Sequence, residues 1–168
     1  MAVPIEYQAE LIPKIIHMNK NFNLAGDTIR LGILYNSYFR LSLETSDGLL
    51  DFLKEYKKEK NQISIKVIAF DMANIPVVKL KSHLIRNRIS VIYITPLRNI
   101  DFGVISEICK ARKIFSISAD PQLSERHFTL SFDLINGKIK IIINLNSAKD
   151  EDVDLSSYLL KVARISDE

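Results

Sequence analysis

The stretch TLSFDLINGKIKIIIN, residues 129–144, contains two β-rich runs on either side of Asn136-Gly137. Asn-Gly between alternating apolar runs is the strongest short-range signal for a β-hairpin. Both central residues of a type I′ turn take positive φ, and Asn and Gly tolerate that conformation best. We therefore predict strands at residues 129–135 and 138–144, with their register fixed by this turn.

After the second run the apolar spacing becomes helical. Leu145 and Ala148 precede an acidic segment at residues 150–154. A second apolar set follows at helical spacing: Leu155, Leu159, Leu160, Val162 and Ala163. The sequence therefore predicts that the hairpin leads into a closing C-terminal helix.

Upstream, four apolar runs of strand length alternate with segments of helical spacing. The runs are residues 28–35, 63–70, 91–95 and 114–118, and the helical segments between them are long enough to connect parallel neighbours. We predict an α/β fold of three αβα layers, with a mostly parallel central sheet that the hairpin extends at one edge. A turn is expected at residues 25–27, and a solvated helix face at the mixed charges of residues 54–59.

Three local features carry more specific predictions. Pro4 suits the first turn of an N-terminal helix, whereas Pro13 predicts a kink near Ala9 or two shorter helices. Asn99 is a candidate N-cap for a helix over residues 100–111. Residues 120–128 are predicted to form a loop with at most one helical turn.

Length and composition favour one domain spanning residues 1–168. The chain is 47% apolar and 26% charged, and its net charge of +3 does not demand a nucleic-acid partner. The single cysteine, Cys109, cannot form an internal disulfide and is predicted to be a buried thiol. No apolar run approaches the ~20 residues needed to span a bilayer, so we predict no membrane insertion.

Catalytic and metal-binding motifs are missing from the sequence. There is no Gly-rich phosphate loop, no Gly-x-Ser-x-Gly elbow and no pair of histidines on one helical face. The acidic segment at residues 150–154 lacks the glycine and the distal glutamate of a calcium loop. We predict a binding or regulatory module without a cofactor or metal, and not an enzyme.

Ligands of open parallel sheets bind in the crevice beyond the carboxyl ends of the strands. Small polar residues follow the predicted strands there: Asn36, Ser37, Asp71, Thr95, Ser118 and Asp120. They form a candidate small-molecule site, although turn chemistry favours the same residue types. The most basic segment, residues 76–88, likewise has two interpretations: a solvated helix face, which we favour, or a contact surface for anions.

Two C-terminal segments and one N-terminal segment suggest a family. Residues 140–149, KIIINLNSAK, and residues 155–163, LSSYLLKVA, resemble the C-terminal signature of the YfiR family. Residues 7–22 and 29–35 are similar to the family's first helix and first strand. We expect a structural role for the turn glycine, Gly137. The resemblance implies the same role for six residues of the C-terminal signature: Asn144, Asn146, Ala148, Leu159, Leu160 and Ala163.

The resemblance implies a periplasmic protein that controls the sensory part of a membrane partner. In one branch that partner is a diguanylate cyclase, with effects on cyclic di-GMP and biofilm formation, and in others it is a sensor kinase. A homodimer is plausible from the family, and the family's cystines do not carry over to this chain. Tyr158, Leu159 and Tyr93 are candidates for a docking patch, but core packing is the assignment that we favour for them.

Two alternatives stay open. The segment of residues 1–6 is too short and too polar to be a signal peptide. We therefore expect a mature periplasmic form whose leader has been removed. The alternative is a cytoplasmic protein. The alternative function is a small-molecule-binding module resembling one lobe of a periplasmic solute receptor.

Overall fold

Strands and helices alternate along the part of the chain that the computed structural model describes, residues 2–22, 28–56 and 64–166. The strands are β1 Thr28–Tyr35, β2 Ser64–Asp71, β3 Val91–Ile94, β4 Phe115–Ser118, β5 Leu130–Ile135, β6 Lys138–Asn144 and β7 Arg164–Ser166. The helices are α1 Ile5–His17, α2 Arg40–Glu55, α3 Val77–Arg86, α4 Phe102–Arg112, α5 Pro121–Arg126, α6 Leu145–Asp150 and α7 Ser157–Val162. Three predicted features lie at least partly outside the described residues. They are the turn at residues 25–27, residues 57–59 of the charged helix face, and residue 63 at the start of the second predicted strand.

All seven strands belong to one sheet in the order β2-β1-β3-β4-β5-β6-β7. The pairs from β2 to β5 are parallel, β6 is antiparallel to β5, and β7 is parallel to β6. This arrangement confirms the predicted α/β class and mostly parallel sheet. The hairpin extends the sheet beyond β4, and β7 adds a short edge strand that the apolar pattern did not predict.

The hairpin turn has the predicted geometry. Ile135 pairs with Lys138, so Asn136 and Gly137 alone form the loop. Their φ angles are 51° and 72°, as a type I′ turn requires. Because the turn sets the register, Phe132 and Ile143 enter the core while Lys138 and Lys140 stay exposed.

Apolar side chains pack on both faces of the sheet. A larger core joins α1 and α2 to residues such as Leu31, Tyr93 and Phe132, and the C-terminal residue Leu159 packs against the same face. A smaller core lies under α3 and α4 on the other face and contains Cys109, which is buried as predicted. The sheet is thus the middle of three layers.

The first helix corrects one prediction. It runs unbroken from Ile5 to His17 with Pro13 inside it, so two shorter helices do not form. Pro13 is buried together with Ile12 and Ile16. Burial of this apolar face outweighs the hydrogen bond that proline removes, because most helical stability in proteins comes from tertiary packing.

Two later boundaries also differ from the sequence predictions. Asn99 has a φ of 55° and cannot cap a helix, and Asp101 takes that role by accepting a hydrogen bond from the Val104 amide at 3.2 Å. Residues 121–126, predicted as part of a loop, form α5. Asp120 caps this helix and Pro121 occupies its first turn, a start signal that outweighed the polar composition. By contrast, the predicted closing helix forms as α7, and residues 151–156, which contain most of the acidic segment, separate it from the short helix α6.

Replacing Gly137 with valine should lower the free energy of unfolding by about 1–2 kcal/mol, the cost of a left-handed backbone at a residue with a Cβ. An added Cβ would meet no atom within 4 Å, so the loss comes from backbone strain and not from a clash. Denaturant unfolding measures it. Gly137→Asn is the matched control and should cost less, because Asn tolerates positive φ; equal losses for the two variants would contradict the turn assignment.

Candidate functional site

A chain of hydroxyl groups joins the carboxyl ends of β1 and β3. The Thr95 hydroxyl donates to the Leu34 carbonyl oxygen at 2.8 Å. Thr95 has one hydroxyl proton, so the Ser42 hydroxyl, 2.6 Å away, must donate to Thr95 Oγ1. The backbone amide of Asn36 donates to Ser42 Oγ at 2.9 Å, which completes this series of hydrogen bonds. Thr95 therefore already has partners within the protein.

The Asp71 carboxylate organises the turn after β2. Its Oδ1 accepts hydrogen bonds from the Ser37 and Ala73 amides at 3.1 and 3.0 Å, and its Oδ2 accepts one from Asn74 Nδ2 at 3.0 Å. Partial burial opposes ionisation, but these hydrogen bonds outweigh it and hold the pKa of Asp71 below its usual value. Asp71 thus joins the ends of β1 and β2 as a charged carboxylate.

The remaining two predicted crevice residues bond locally. Ser118 Oγ is 3.1 Å from the Asp120 amide and 3.2 Å from its carbonyl oxygen. Asp120 Oδ1 accepts from the Gln122 amide at 2.9 Å as the N-cap of α5. The structure therefore places Asn36 and Thr95 in one network, Ser37 and Asp71 in another, and Ser118 with Asp120 in a third. A ligand at these residues would have to displace or share hydrogen bonds that the fold uses.

A cavity of about 430 Å³ opens at the same end of the sheet, between the first turns of α1 and α2. Its wall is mainly apolar, and Glu6 and Glu44 are among its lining residues. Glu44 Oε1 lies 2.6 Å from Arg40 Nε in an ion pair. Pro96 and Ala119, which follow β3 and β4, contribute its sheet side. This cavity could not be predicted from the sequence, because α1 reaches the strand ends only in the folded chain. One local signal is Gly48, where an added Cβ would lie 2.9 Å from Ile5 Cγ2.

A buried hydrogen-bonded pair fixes α1 beside this cavity. The Tyr93 hydroxyl on β3 donates to Gln8 Oε1 at 2.7 Å, and Gln8 Nε2 donates to the Val3 carbonyl oxygen at 2.8 Å. Tyr93 is fully buried, and desolvation raises its pKa, so the phenol stays protonated and keeps donating. The segment that begins α1 is thereby attached to the centre of the sheet.

A second cavity, of about 260 Å³, lies on the α3 and α4 side of the strand ends. Asn36, Met72 and Arg98 are among its lining residues. The Arg98 guanidinium stacks over the Phe39 ring at 4.2 Å from the ring centroid. Asn36, one of the six predicted crevice residues, therefore lines this second cavity.

A buried carboxylate lies on the α4 side of the sheet, away from the crevice. Glu151, 1% exposed, accepts hydrogen bonds from the Ser116 amide at 2.9 Å, the Thr129 hydroxyl at 2.6 Å and the Ser116 hydroxyl. Burial raises the pKa of Glu151 to about 7, although these donors favour its charged form. Desolvation and the charge of Glu151 raise the pKa of Cys109 as well, which keeps that thiol protonated.

Asn144 lies between β6 and α6 and is 1% exposed. Its Oδ1 caps α6 by accepting from the Ser147 amide at 3.0 Å. Its Nδ2 donates to the Ser124 and Glu125 carbonyl oxygens of α5 at 3.1 and 3.3 Å. Both the oxygen and the nitrogen of the Asn144 side chain therefore form hydrogen bonds that stabilise the fold.

Exposed apolar side chains occur in each of the last three elements: Tyr158 (67% exposed), Val162 (49%), Leu145 (40%) and Ile165 (37%). We call these four residues the C-terminal patch. Two other residues proposed for docking are buried, since Leu159 is 3% exposed and Tyr93 0%. Leu159 and Tyr93 are therefore core residues, and Tyr158 alone of the three is available to a partner.

The described residues contain neither a metal-binding cluster nor a membrane-spanning helix. No group of three or more His, Cys, Asp or Glu in this part of the chain could hold a metal ion. In the same residues, no helix is both long and apolar enough to cross a bilayer.

Comparison with known families gives one match, to the family described as YfiR/HmsC-like, over residues 25–164. The chain belongs to the YfiR/HmsC-like family. The match covers most of the chain and includes both the hairpin and α7. Membership supports a periplasmic regulatory role in general. No curated protein matches the chain.

Solved structures similar to this YfiR/HmsC-like chain include substrate-binding proteins. One is the ABC domain in complex with L-Trp from Streptococcus pneumonia, at 14% identity and a TM-score of 0.66 over 97% of this chain. Another is the ligand-free, open structure of a substrate-binding protein with adhesive properties from Clostridium difficile, at 15% identity and a TM-score of 0.65 over 97% of this chain. A conserved domain protein from Vibrio cholerae has 16% identity and a TM-score of 0.64 over the same share. This chain covers 59–62% of each of these proteins, and the likeness concerns the fold alone.

The stability of the protein should depend on pH through Glu151. Its pKa is about 7 in the folded protein and 4.5 without the fold, so the folded state favours the protonated form. This stabilisation is complete below pH ~4.5 and is lost as the pH rises through ~7. Protonation of Glu151 contributes about 3 kcal/mol to the free energy of unfolding, because each unit of pKa difference corresponds to ~1.4 kcal/mol.

Denaturant unfolding of the protein and of Glu151→Gln across this pH range measures the effect. The variant should gain stability relative to the parent as the pH rises from about 4.5 to about 8. Glu107→Gln, at an exposed position on α4, is the control and should follow the parent at every pH. A stability difference between Glu151→Gln and the parent that stays constant with pH would show that Glu151 ionises normally.

Proposed function

We propose that this chain is a non-enzymatic periplasmic signalling accessory that regulates a membrane-bound diguanylate cyclase or sensor kinase by direct protein contact. The observation that carries this function is the YfiR/HmsC-like family match over residues 25–164. The family supplies the regulatory role, and the partner class follows the branches described above. A homodimer fits the same proposal.

The C-terminal patch is our candidate for the surface that contacts the sensor. Tyr158 and Val162 are four residues apart on α7 and therefore share one helical face. A tyrosine beside exposed aliphatic residues is typical of the centre of a protein interface. Ile165 belongs to the edge strand β7, and Ser166 next to it pairs with Asn144, the residue before Leu145.

An ion pair holds the edge of this patch in place. Arg164 of β7 contacts the Glu125 carboxylate of α5 through Nη2, and both side chains are partly exposed. β7 also pairs with three residues of β6. A patch held in place before binding loses less conformational freedom when a partner docks, which favours affinity.

The test is binding to the periplasmic segment of any membrane diguanylate cyclase or sensor kinase encoded beside this chain, measured with purified proteins. Tyr158→Ser/Val162→Ser should weaken binding at least tenfold, the loss expected for residues at an interface centre. The matched control is Tyr38→Ser/Leu41→Ser, a tyrosine and an aliphatic residue that are also exposed but lie at the strand-end crevice. Absence of binding by the parent, or equal losses in both variants, would refute this surface.

A second function, binding of a small molecule, is favoured by the cavity between α1 and α2. Its volume of about 430 Å³ lies within the usual range for ligand pockets, and its wall combines apolar side chains with the carboxylates of Glu6 and Glu44. The fold is similar to that of substrate-binding proteins. Glu44 is already paired with Arg40, but Glu6 has no ion-pair partner among the described residues and suits a ligand with a cationic group, such as an amine.

A thermal-shift screen of amino acids, nucleotides and sugars tests this second function. A true ligand should raise the melting temperature of the parent and not that of Ala119→Leu, whose larger side chain would fill part of the cavity. Tyr158→Ser is the control, because it lies outside the cavity and should keep the full shift. A screen in which no compound moves the melting temperature would argue against a ligand site.

A further inference from the structure

The outward face of α3 combines exposed aliphatic and basic side chains. Val78 is 81% exposed and Ile85 42% exposed. They are seven residues apart, two helical turns, and so lie along one line of the helix. Lys81 flanks this line on one side, and Lys79 and Arg86 flank it on the other, as a spacing of 100° per residue requires.

More basic residues continue this face beyond the helix. Arg88 follows α3, and Arg30 and Lys66 occupy paired positions in β1 and β2. Ile29 and Leu31, on either side of Arg30, belong to the larger core under α1 and α2. Alternation along the strand therefore directs Arg30, and with it Lys66, to the face of the sheet that α3 covers. We call the α3 face and these residues the basic face: Val78, Ile85, Arg30, Lys66, Lys79, Lys81, Arg86 and Arg88.

The basic face carries an excess of positive charge. Residues 76–90 contain no Asp or Glu, while the whole chain carries a net charge of +3. Within the described residues, none of the six Lys and Arg side chains takes part in an ion pair. Asp101 and Glu107 of α4 line a groove with Lys81 beside α3, so the acidic groups lie to one side of the face.

We infer that the basic face binds the anionic headgroups of a phospholipid membrane surface. Lys and Arg side chains near a membrane are attracted to anionic lipids, and aliphatic side chains between them can enter the headgroup region. A nucleic acid would gain nothing from Val78 and Ile85, and the face has no aromatic residue for stacking on bases. The inference depends on this face alone and not on the identity of a sensor partner.

Sedimentation with lipid vesicles tests the inference on the purified chain. Binding is expected to vesicles of equimolar phosphatidylglycerol and phosphatidylcholine and not to vesicles of phosphatidylcholine alone. It should weaken as the salt concentration rises, because salt screens exposed charges. Lys79→Gln/Arg86→Gln should reduce binding about 30-fold, the factor expected for two basic residues near an anionic surface.

Two further variants make the result specific. Lys54→Gln/Lys138→Gln removes the same charge from exposed positions elsewhere and should bind like the parent. Val78→Ser/Ile85→Ser keeps the charge and should weaken vesicle binding while leaving any contact with soluble poly-glutamate unchanged. The inference is overturned by a lack of vesicle binding, by equal effects of both charge variants, or by unchanged vesicle binding in the serine variant. The assay contains no sensor protein, so its failure would leave the proposed regulatory function untouched.

Discussion

The buried carboxylate of Glu151 is the constraint on which the C-terminal third of the molecule depends. The parallel part of the sheet is joined to the hairpin through β4 and β5, whose ladder consists of two residue pairs. Glu151 accepts hydrogen bonds from Ser116 of β4 and from Thr129, the residue before β5. It therefore supports a junction that backbone pairing alone holds weakly. Removing one hydrogen-bonding group from such a buried network lowers the free energy of unfolding by more than that group's net contribution, because the remaining polar groups stay buried without partners.

The two ends of the described chain are joined in a similar way. The Lys20 amide donates to the Asp154 carbonyl oxygen at 2.8 Å, and the amide of Ser156, the N-cap of α7, donates to the carbonyl oxygen of Met18, the C-cap of α1, at 3.1 Å. The helix whose first turn borders the cavity between α1 and α2 is thus bonded, at its opposite end, to the N-cap of the helix that carries Tyr158. Any partner that displaces α7 therefore acts on the C-terminal end of α1, about 18 Å along the helix from the first turn that borders the cavity.

Local signals explain which parts of the fold could be predicted. Asn136-Gly137 and the apolar runs act within a few residues, so the hairpin and the parallel strands followed from the sequence. Glu151 could not be distinguished from Asp150 and Asp152, since all three belong to one acidic segment and tertiary contacts alone bury the glutamate. The rule for ligand sites picks out the strand-end residues, yet Asp71 and Ser118 use their side-chain oxygens to accept hydrogen bonds from backbone amides in the turns after β1, β2 and β4. The cavity and β7 depend on long-range packing, which composition and spacing do not encode.

The sheet order also separates the two surfaces to which partners are assigned. His83 of α3 packs against Phe70 of β2, the strand at one edge, while Ile165 belongs to β7 at the other. Six strand spacings of ~4.8 Å place these edges about 29 Å apart. Contact of the basic face with lipid would therefore leave Tyr158 and Val162 accessible. A chain held at a membrane in this way would meet an embedded sensor by diffusion in two dimensions, and modest affinity at the C-terminal patch would then suffice because the membrane raises the effective concentration of both proteins.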